Sequence, residues 1–271
     1  MADHADALAI EARPDLSLVL PCYNEEALVR QTATRLIDAF RASKIDLELI
    51  LVDNGSADST GEIIAEMAAE GLPVVKAAVA VNQGYGYGVL TGLARCRGRW
   101  AGFMCVDDQV HPNDVVRLYE VAAKAKTPKL FKVRRRFRLD GRFRRIVSFS
   151  YNVLTAVLFG NLHSMDLNAN PKILPFPYLE AMKLCSKDWF LDAEVMIKAK
   201  RMGLPVYEMN VFALMRAEGV SHVRPTTCWE FIKNLVYYRF GEGRKALEVP
   251  AAAEIEARER FGDAQKVASR R

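Results

Sequence analysis

Four short apolar runs punctuate the first half of the chain, and each ends in a polar loop that opens a helical pattern. Leu16 to Leu20 stops at Pro21, and Asn24-Glu25-Glu26 then precedes apolar positions at Leu28, Leu36, Ile37 and Phe40, with Asn24 placed to cap the helix. Leu47 to Val52 ends in Asp53-Asn54-Gly55-Ser56-Ala57-Asp58-Ser59-Thr60, after which Ile63, Ile64 and Met67 restart helical spacing. Val74 to Val81 runs into Asn82-Gln83-Gly84-Tyr85-Gly86-Tyr87-Gly88 and a helix through Leu90 and Leu93. Trp100 to Val106 stops at Asp107 and Asp108, and Pro112 opens the next helix. Repeated strand, loop and helix units predict an α/β fold with a mostly parallel sheet and its polar loops gathered on one edge.

Beyond Tyr119 the pattern changes. Lys129 to Arg145 sets nine cations against the single acid Asp140. Ile146 to Phe159 follows as an apolar helix, then an irregular Pro-rich passage from Asn168 to Pro177. A helix over Phe190 to Gly203 and a strand over Pro205 to Leu214 come next, and Gly241 to Arg271 reads as a charged tail. An apolar helix beside a cationic segment can lie in a membrane interface, or it can be a core helix preceded by a solvated basic loop.

With 271 residues, 51% hydrophobic and 26% charged, the chain is ordinary globular protein, enough for one large α/β domain or two small ones. Cys22, Cys96, Cys105, Cys185 and Cys228 form no CxxC pair, so a zinc framework and a disulfide scaffold are both disfavoured, and a reduced, cytoplasmic chain is expected. Met1 to Pro14 carries Asp3, Asp6 and Glu11 and does not read as a secretory signal. No run approaches the ~18 apolar residues of a spanning helix. The net charge of +5, concentrated in the basic block, points to an anionic partner.

Candidate chemistry sits at the strand ends. In open α/β sheets ligands bind outside the carboxyl ends of the strands, and two oxygens there could hold Mg²⁺ carrying a diphosphate. Gly84, Gly86 and Gly88 form GxGxG rather than the dinucleotide fingerprint, which disfavours a dehydrogenase. His111 is as well suited to a turn as to a ligand, and His4, His163 and His222 lack metal-ligand spacing.

Taken together, Leu-Pro-Cys-Tyr-Asn-Glu-Glu (20–26), Val-Asp-Asn-Gly-Ser-Ala-Asp-Ser-Thr (52–60), Asn82-Gln83-Gly84-Tyr85-Gly86, the acidic strand end and Arg216-x-x-Gly219-x-Ser221 resemble the family 2 glycosyltransferases of GT-A fold. The similarity is strongest to the dolichyl/polyprenyl-phosphate sugar synthase branch and runs from about Leu16 to Tyr238. It implies a Rossmann-like domain over 15–240, with a basic segment and amphipathic helix at 128–160, a flexible 1–14 and a tail from 241. It also implies a nucleotide-sugar site on Pro21, Tyr23, Asn24, Glu25, Asp53, Asn82 and Gly84, with Asp107 and Asp108 near the diphosphate and a divalent cation, Mg²⁺ or Mn²⁺. Arg134, Arg136, Arg144, Ser148 and Asn152, with Arg216 and Ser221, would bind the phosphate of a polyprenyl-phosphate acceptor, and Asp166 resembles the acid that follows in that branch. A phosphate acceptor needs no strong base; a hydroxyl acceptor would, and Asp192 and Glu194 are its candidates.

Two features depart from the family pattern. Aligning Gln109 with the usual Asp-x-Asp-x-Gln puts Cys105 where the first acid belongs and Asp107 at the second; a slip of one residue puts Val106 and Asp108 there instead. The Asn168-to-Lys172 passage lacks the branch's Cys-Gly-aromatic pattern. The leading expectation is an inverting glycosyltransferase, cytoplasmic and peripheral on the inner face of a membrane. The alternatives are a catalytically impaired module that binds nucleotide or lipid, and a transferase using a hydroxyl acceptor. Nucleic-acid binding through the basic block ranks last, because only Phe131, Phe137 and Phe143 offer stacking surfaces.

Overall fold

The first three apolar runs and the start of the fourth become four neighbouring strands in a computed structural model that describes residues 13–136, 142–213, 225–241 and 243–256, with side chains throughout except at 142–148, 225–228 and 231. The elements in order are β1 (Leu16–Cys22), α1 (Val29–Ala42), β2 (Leu47–Asp53), α2 (Thr60–Ala69), β3 (Val74–Ala78), α3 (Tyr85–Leu93), β4 (Trp100–Phe103) and α4 (Pro112–Ala123). There follow β5 (Leu130–Arg136), α5 (Arg142–Phe159), β6 (Lys172–Pro175), α6 (Phe176–Ala181), α7 (Leu191–Met202), β7 (Val206–Phe212), α8 (Pro225–Phe240) and α9 (Gly243–Ala246). The seven strands form one sheet in the order β3-β2-β1-β4-β6-β5-β7. Pairing is parallel except around β6, which runs antiparallel to both β4 and β5. The carboxyl ends of the other six strands therefore share one edge.

Both faces of the sheet are covered, as a parallel sheet requires. On one side Leu16, Leu18 and Leu20 pack with Val29, Leu36, Ile37 and Phe40 of α1 and with α4. On the other, Val19, Ile50 and Phe103 pack with Val89 of α3 and with α7. Helix α3 crosses so close to β1 and β2 that a Cβ on Gly92 would collide with Val19 and Val52. Among the described residues no helix is long and apolar enough to cross a membrane.

Two passages differ from expectation. The irregular stretch from Asn168 contains β6, whose local Pro signals hide a strand that exists because β4 and β5 each offer it a ladder. The front of the basic block is not a solvated loop but strand β5, and Lys132 is fully buried in it. Its Nζ donates to Asp166 O at 2.7 Å, Val133 O at 2.9 Å, Glu208 Oε1 at 3.0 Å and Ser164 Oγ at 3.2 Å. Burial and the neighbouring Lys172 push this ammonium down to about 8, against the pull of Glu208 and Asp166. Between that value and the unfolded lysine's 10.5 the unfolded chain binds the extra proton, so the contribution of Lys132 to stability rises as pH climbs through this window. Urea midpoints measured from pH 8 to 10.5 should rise more steeply for the native chain than for Lys132→Met; parallel curves would show that Lys132 does not titrate there.

Candidate functional site

Strands β1 and β2 end in register, Cys22 opposite Asp53, so their loops leave the sheet side by side. Asn24 adopts a left-handed backbone at φ 54°. Its Oδ1 accepts from the Ala57 N–H at 2.9 Å, and its own N–H donates to Ser56 Oγ at 3.1 Å. Glu25 N–H donates to Thr60 Oγ1 at 2.8 Å, while Ser59 N–H returns to Glu26 Oε2 at 3.0 Å. Asn24 is thus not the cap expected from the sequence: α1 begins only at Val29 with Leu28 before it. Asparagine tolerates the left-handed turn, and that turn points its amide at the neighbouring loop.

Asp53 turns Oδ1 toward the Ser56 N–H at 2.9 Å. The third loop joins through Gly55, whose backbone at φ 76° lies against Asn82, and Asn82 Oδ1 accepts from the Gly84 N–H at 2.8 Å. Pro21, Tyr23, Asn24, Glu25, Asp53, Asn82 and Gly84 are therefore gathered on one edge by three adjacent strands. Gly84, at φ 112°, has its open side filled by Lys187 O, so here the missing side chain makes room for protein backbone.

Beyond β4 lies a small, partly open pocket lined by Met104, Cys105, Asp107, Gln109, Val110, Arg135, Asn168 and Asn170. Arg135 is its cation. Nε and Nη2 clasp Asp166 Oδ2 and Oδ1, each at 3.0 Å, and Nη1 reaches Gln109 Oε1 at 3.4 Å. Burial works against the Arg135 charge, but Asp166 outweighs it and holds the guanidinium above its ordinary range. Asp107 lines the pocket and accepts from the Gln109 N–H at 3.3 Å.

Asp108 is aimed elsewhere. It takes a left-handed backbone at φ 53°, and its Oδ2 accepts from Arg35 of α1. Of the two carboxylates expected to converge on a metal, Asp107 lines the pocket and Asp108 does not; Asp108 Oδ2 is held by Arg35, while its Oδ1 is buried without a hydrogen-bond partner among the described residues. Among the described residues no three His, Cys, Asp or Glu side chains cluster for a metal. The donor set still meets the lower limit for Mg²⁺, which is held by one or two carboxylates and completed by substrate phosphates.

The basic block is sorted by strand alternation. Arg134 and Arg136 lie on the face opposite Arg135, in register with Asn210 and Phe212 of β7, so the arginine that enters the pocket is the one between the two expected. A period of two running forward from the buried Phe131 and Val133 was the available signal for Arg135. Asn152 of α5 is spent on backbone, with Nδ2 donating to Met165 O at 2.9 Å and Oδ1 accepting from the Leu167 N–H at 3.4 Å; it holds the strand of chain that carries Asn168 into the pocket. The side chains of Arg144 and Ser148, and all of Arg216 and Ser221, lie outside the described residues.

The two carboxylates proposed as bases are both in the core. Asp192 is ion-paired with the fully buried Lys172, whose Nζ also donates to Asn170 Oδ1 at 3.2 Å, while Asn170 Nδ2 donates to Tyr85 OH at 3.1 Å. Asp192 is thus set behind the pocket wall by two side chains. Burial and then Asp192 push the Tyr85 phenol well above its usual range, so it stays neutral. Glu194 is fully buried and accepts from Lys198 Nζ at 2.5 Å, the Ser186 N–H at 2.8 Å and the Cys185 N–H at 3.1 Å. Its oxygens are occupied, which corrects its reading as a general base. His111 caps α4, its Nδ1 accepting from the Asn113 N–H at 3.2 Å.

Residues 17–166 match the family model described as glycosyl transferase family 2. The undecaprenyl-phosphate 4-deoxy-4-formamido-L-arabinose transferase of Aeromonas hydrophila is 28% identical over 207 residues, which is 76% of this chain and 62% of that protein. Its namesake in Pseudomonas fluorescens is 35% identical over 111 residues, 40% of this chain and 32% of the relative. The chain therefore spans less than two thirds of the length of these curated relatives. A crystal structure of glucosyl-3-phosphoglycerate synthase from Mycobacterium tuberculosis, in complex with Mn²⁺ and UDP-glucose, matches with a TM-score of 0.66 at 21% identity, covering 84% of this chain and 80% of that one. This second likeness is one of fold.

Proposed function

The chain belongs to glycosyl transferase family 2, and from that premise we propose that it transfers a sugar from a nucleotide-sugar donor to a polyprenyl-phosphate or similar lipid-linked acceptor at a membrane surface. The observation that carries the reading is the joining of two features on one sheet edge: the stapled loops after β1, β2 and β3, and a pocket that holds an acid, Asp107, beside a permanent cation, Arg135. The names of the matched transferases support the lipid-phosphate acceptor.

In the reaction, an acceptor phosphate oxygen bonds to the anomeric carbon as the carbon's bond to the nucleotide diphosphate breaks. The diphosphate leaves with the electron pair. The acceptor oxygen is already anionic, so no protein base is required, in keeping with the buried, occupied state of Asp192 and Glu194. The loops after β1 and β2 hold the nucleoside, Asp53 meeting the base. Arg135, kept charged and oriented by Asp166, presents a fixed positive charge where negative charge collects. Asp107 would hold a divalent cation, Mg²⁺ or Mn²⁺, which when bound neutralises the departing diphosphate.

A thermal-shift screen of UDP-, GDP- and dTDP-sugars with and without Mn²⁺ tests the reading. Ligand at about 100 times its Kd should add roughly 2.7 kcal/mol of stability. No shift with any of them would overturn it. Cys105→Asp, which restores the acid at the family position, should tighten Mn²⁺ dependence of that shift by at least about tenfold, the scale on which even outer-sphere partners change metal affinity. An unchanged metal titration would show that position 105 does not face the cation.

A further inference from the structure

We propose that α5 and α8 together form a docking surface for an anionic lipid bilayer, an inference that rests on the lipid-linked reading above and locates the membrane on the molecule. Among the described residues of helix α8, Asn234, Leu235 and Tyr238 attach one side of it to the protein. Its Asn234 Nδ2 donates to Asp188 Oδ2 at 2.7 Å, Tyr238 stacks on Phe190 with ring centroids 4.2 Å apart, and Leu235 is fully buried. The other side carries Trp229, Ile232, Val236 and Phe240, which recur at intervals of three and four and so line one stripe of the helix. All four are exposed, Trp229 to 69% and Phe240 to 68%. A stripe of this kind on a solvated helix would normally be polar.

Helix α5 repeats the arrangement. Tyr151 and Thr155 are buried while Phe149, Val153 and Val157 are exposed, Val157 to 75%. The two helices touch, and Arg239 Nε of α8 donates to Leu158 O at the end of α5 at 2.8 Å. Asn152, on α5, fixes the segment that leads into the pocket, so the surface adjoins the site.

The occupant follows from charge. Lys233 and Arg239 flank the α8 stripe, and Arg244 and Lys245 follow on α9, all exposed; over residues 229–248 the sequence sets these four cations against Glu230, Glu242 and Glu248. Aromatic and aliphatic side chains with cations beside them suit the boundary of an anionic leaflet, where the rings enter the acyl region and the cations stay at the headgroups. A second copy docking by the same face would bring like-charged flanks together.

The test uses the full chain with vesicles of phosphatidylcholine alone or mixed with phosphatidylglycerol. The native protein should sediment with the mixed vesicles and far less with the neutral ones, and its Trp emission should shift to the blue. Trp229→Glu should weaken vesicle binding by about tenfold or more, since one large side chain's transfer is at stake. Trp229→Phe should retain binding and lose most of the spectral shift, which separates docking from misfolding. The thermal shift with the nucleotide sugar that the screen selects should be the same in all three proteins, so a failure here is distinct from failure of the nucleotide-sugar reading. Absence of binding to mixed vesicles overturns the proposal. So does self-association in sedimentation velocity that Trp229→Glu abolishes, which would make this face a dimer contact.

Discussion

Asp107→Asn should lower sugar transfer by about 10²–10³-fold while leaving the fold intact, and Asp108→Asn should do the reverse. The two residues are adjacent, chemically identical and indistinguishable to a motif search. Asp107 lines the pocket with Arg135, whereas Asp108 is drawn beneath α1 by Arg35. Removing the Asp107 charge takes away the carboxylate available to a cation at the diphosphate, an interaction worth most in the transition state. Removing that of Asp108 breaks a partly buried ion pair, at about 1–2 kcal/mol of stability. The measurement is a pair of assays on each variant: product formation with polyprenyl phosphate and the nucleotide sugar that the thermal-shift screen selects, and urea denaturation. Equal losses of activity in both variants would contradict the division of roles.

Glu194→Ala should be the most destabilising of the single changes considered, by about 3–5 kcal/mol. The carboxylate is fully buried, pairs with Lys198 one helical turn on, and takes the backbone N–H groups of Cys185 and Ser186. Without it a buried ammonium and two amides lose their acceptor together. Those amides belong to the loop that lies against Gly84 and Gly86 of the third polar loop and against Tyr238 of α8, so the damage spreads to both the nucleotide edge and the α8 anchor. Removing both charges, Glu194→Leu with Lys198→Met, should recover part of the loss, because it leaves no uncompensated buried charge, while the Cys185 and Ser186 amides still lack their acceptor. A urea midpoint for Glu194→Ala matching the native protein, accompanied by lost activity, would instead restore the general-base role.

Much of the architecture was legible from the residue pattern. Leu16 to Leu20, Leu47 to Val52 and Val74 to Val81 are apolar runs bounded by Pro, Asn, Asp and Gly, and such runs become strands whose ends bear loops because a buried parallel strand has nowhere polar to go until it leaves the sheet. The gathering of Pro21, Asn24, Asp53 and Asn82 follows from that topology alone, since parallel strands deliver their carboxyl ends to one edge. The hidden strand β6 was not legible, because its pairing partners are far away in sequence: Phe103 lies opposite Lys172, and Lys132 opposite that same lysine.

The sequence by itself determined the fold class, the family and the edge on which the polar loops gather, because these depend on periodicity and on the order of short motifs. The tertiary structure alone decided where each of several like residues lies. It put Arg135 rather than Arg134 or Arg136, and Asp107 rather than Asp108, in the pocket lining, and took Asp192 and Glu194 into the core. Those choices turn on side-chain direction and on partners such as Asp166, Arg35, Lys172 and Lys198, which lie between 4 and 73 positions away along the chain and meet their partners only when the sheet and helices close. Composition cannot encode that, because a charge is the same in a basic block whether its neighbour is water or a buried carboxylate.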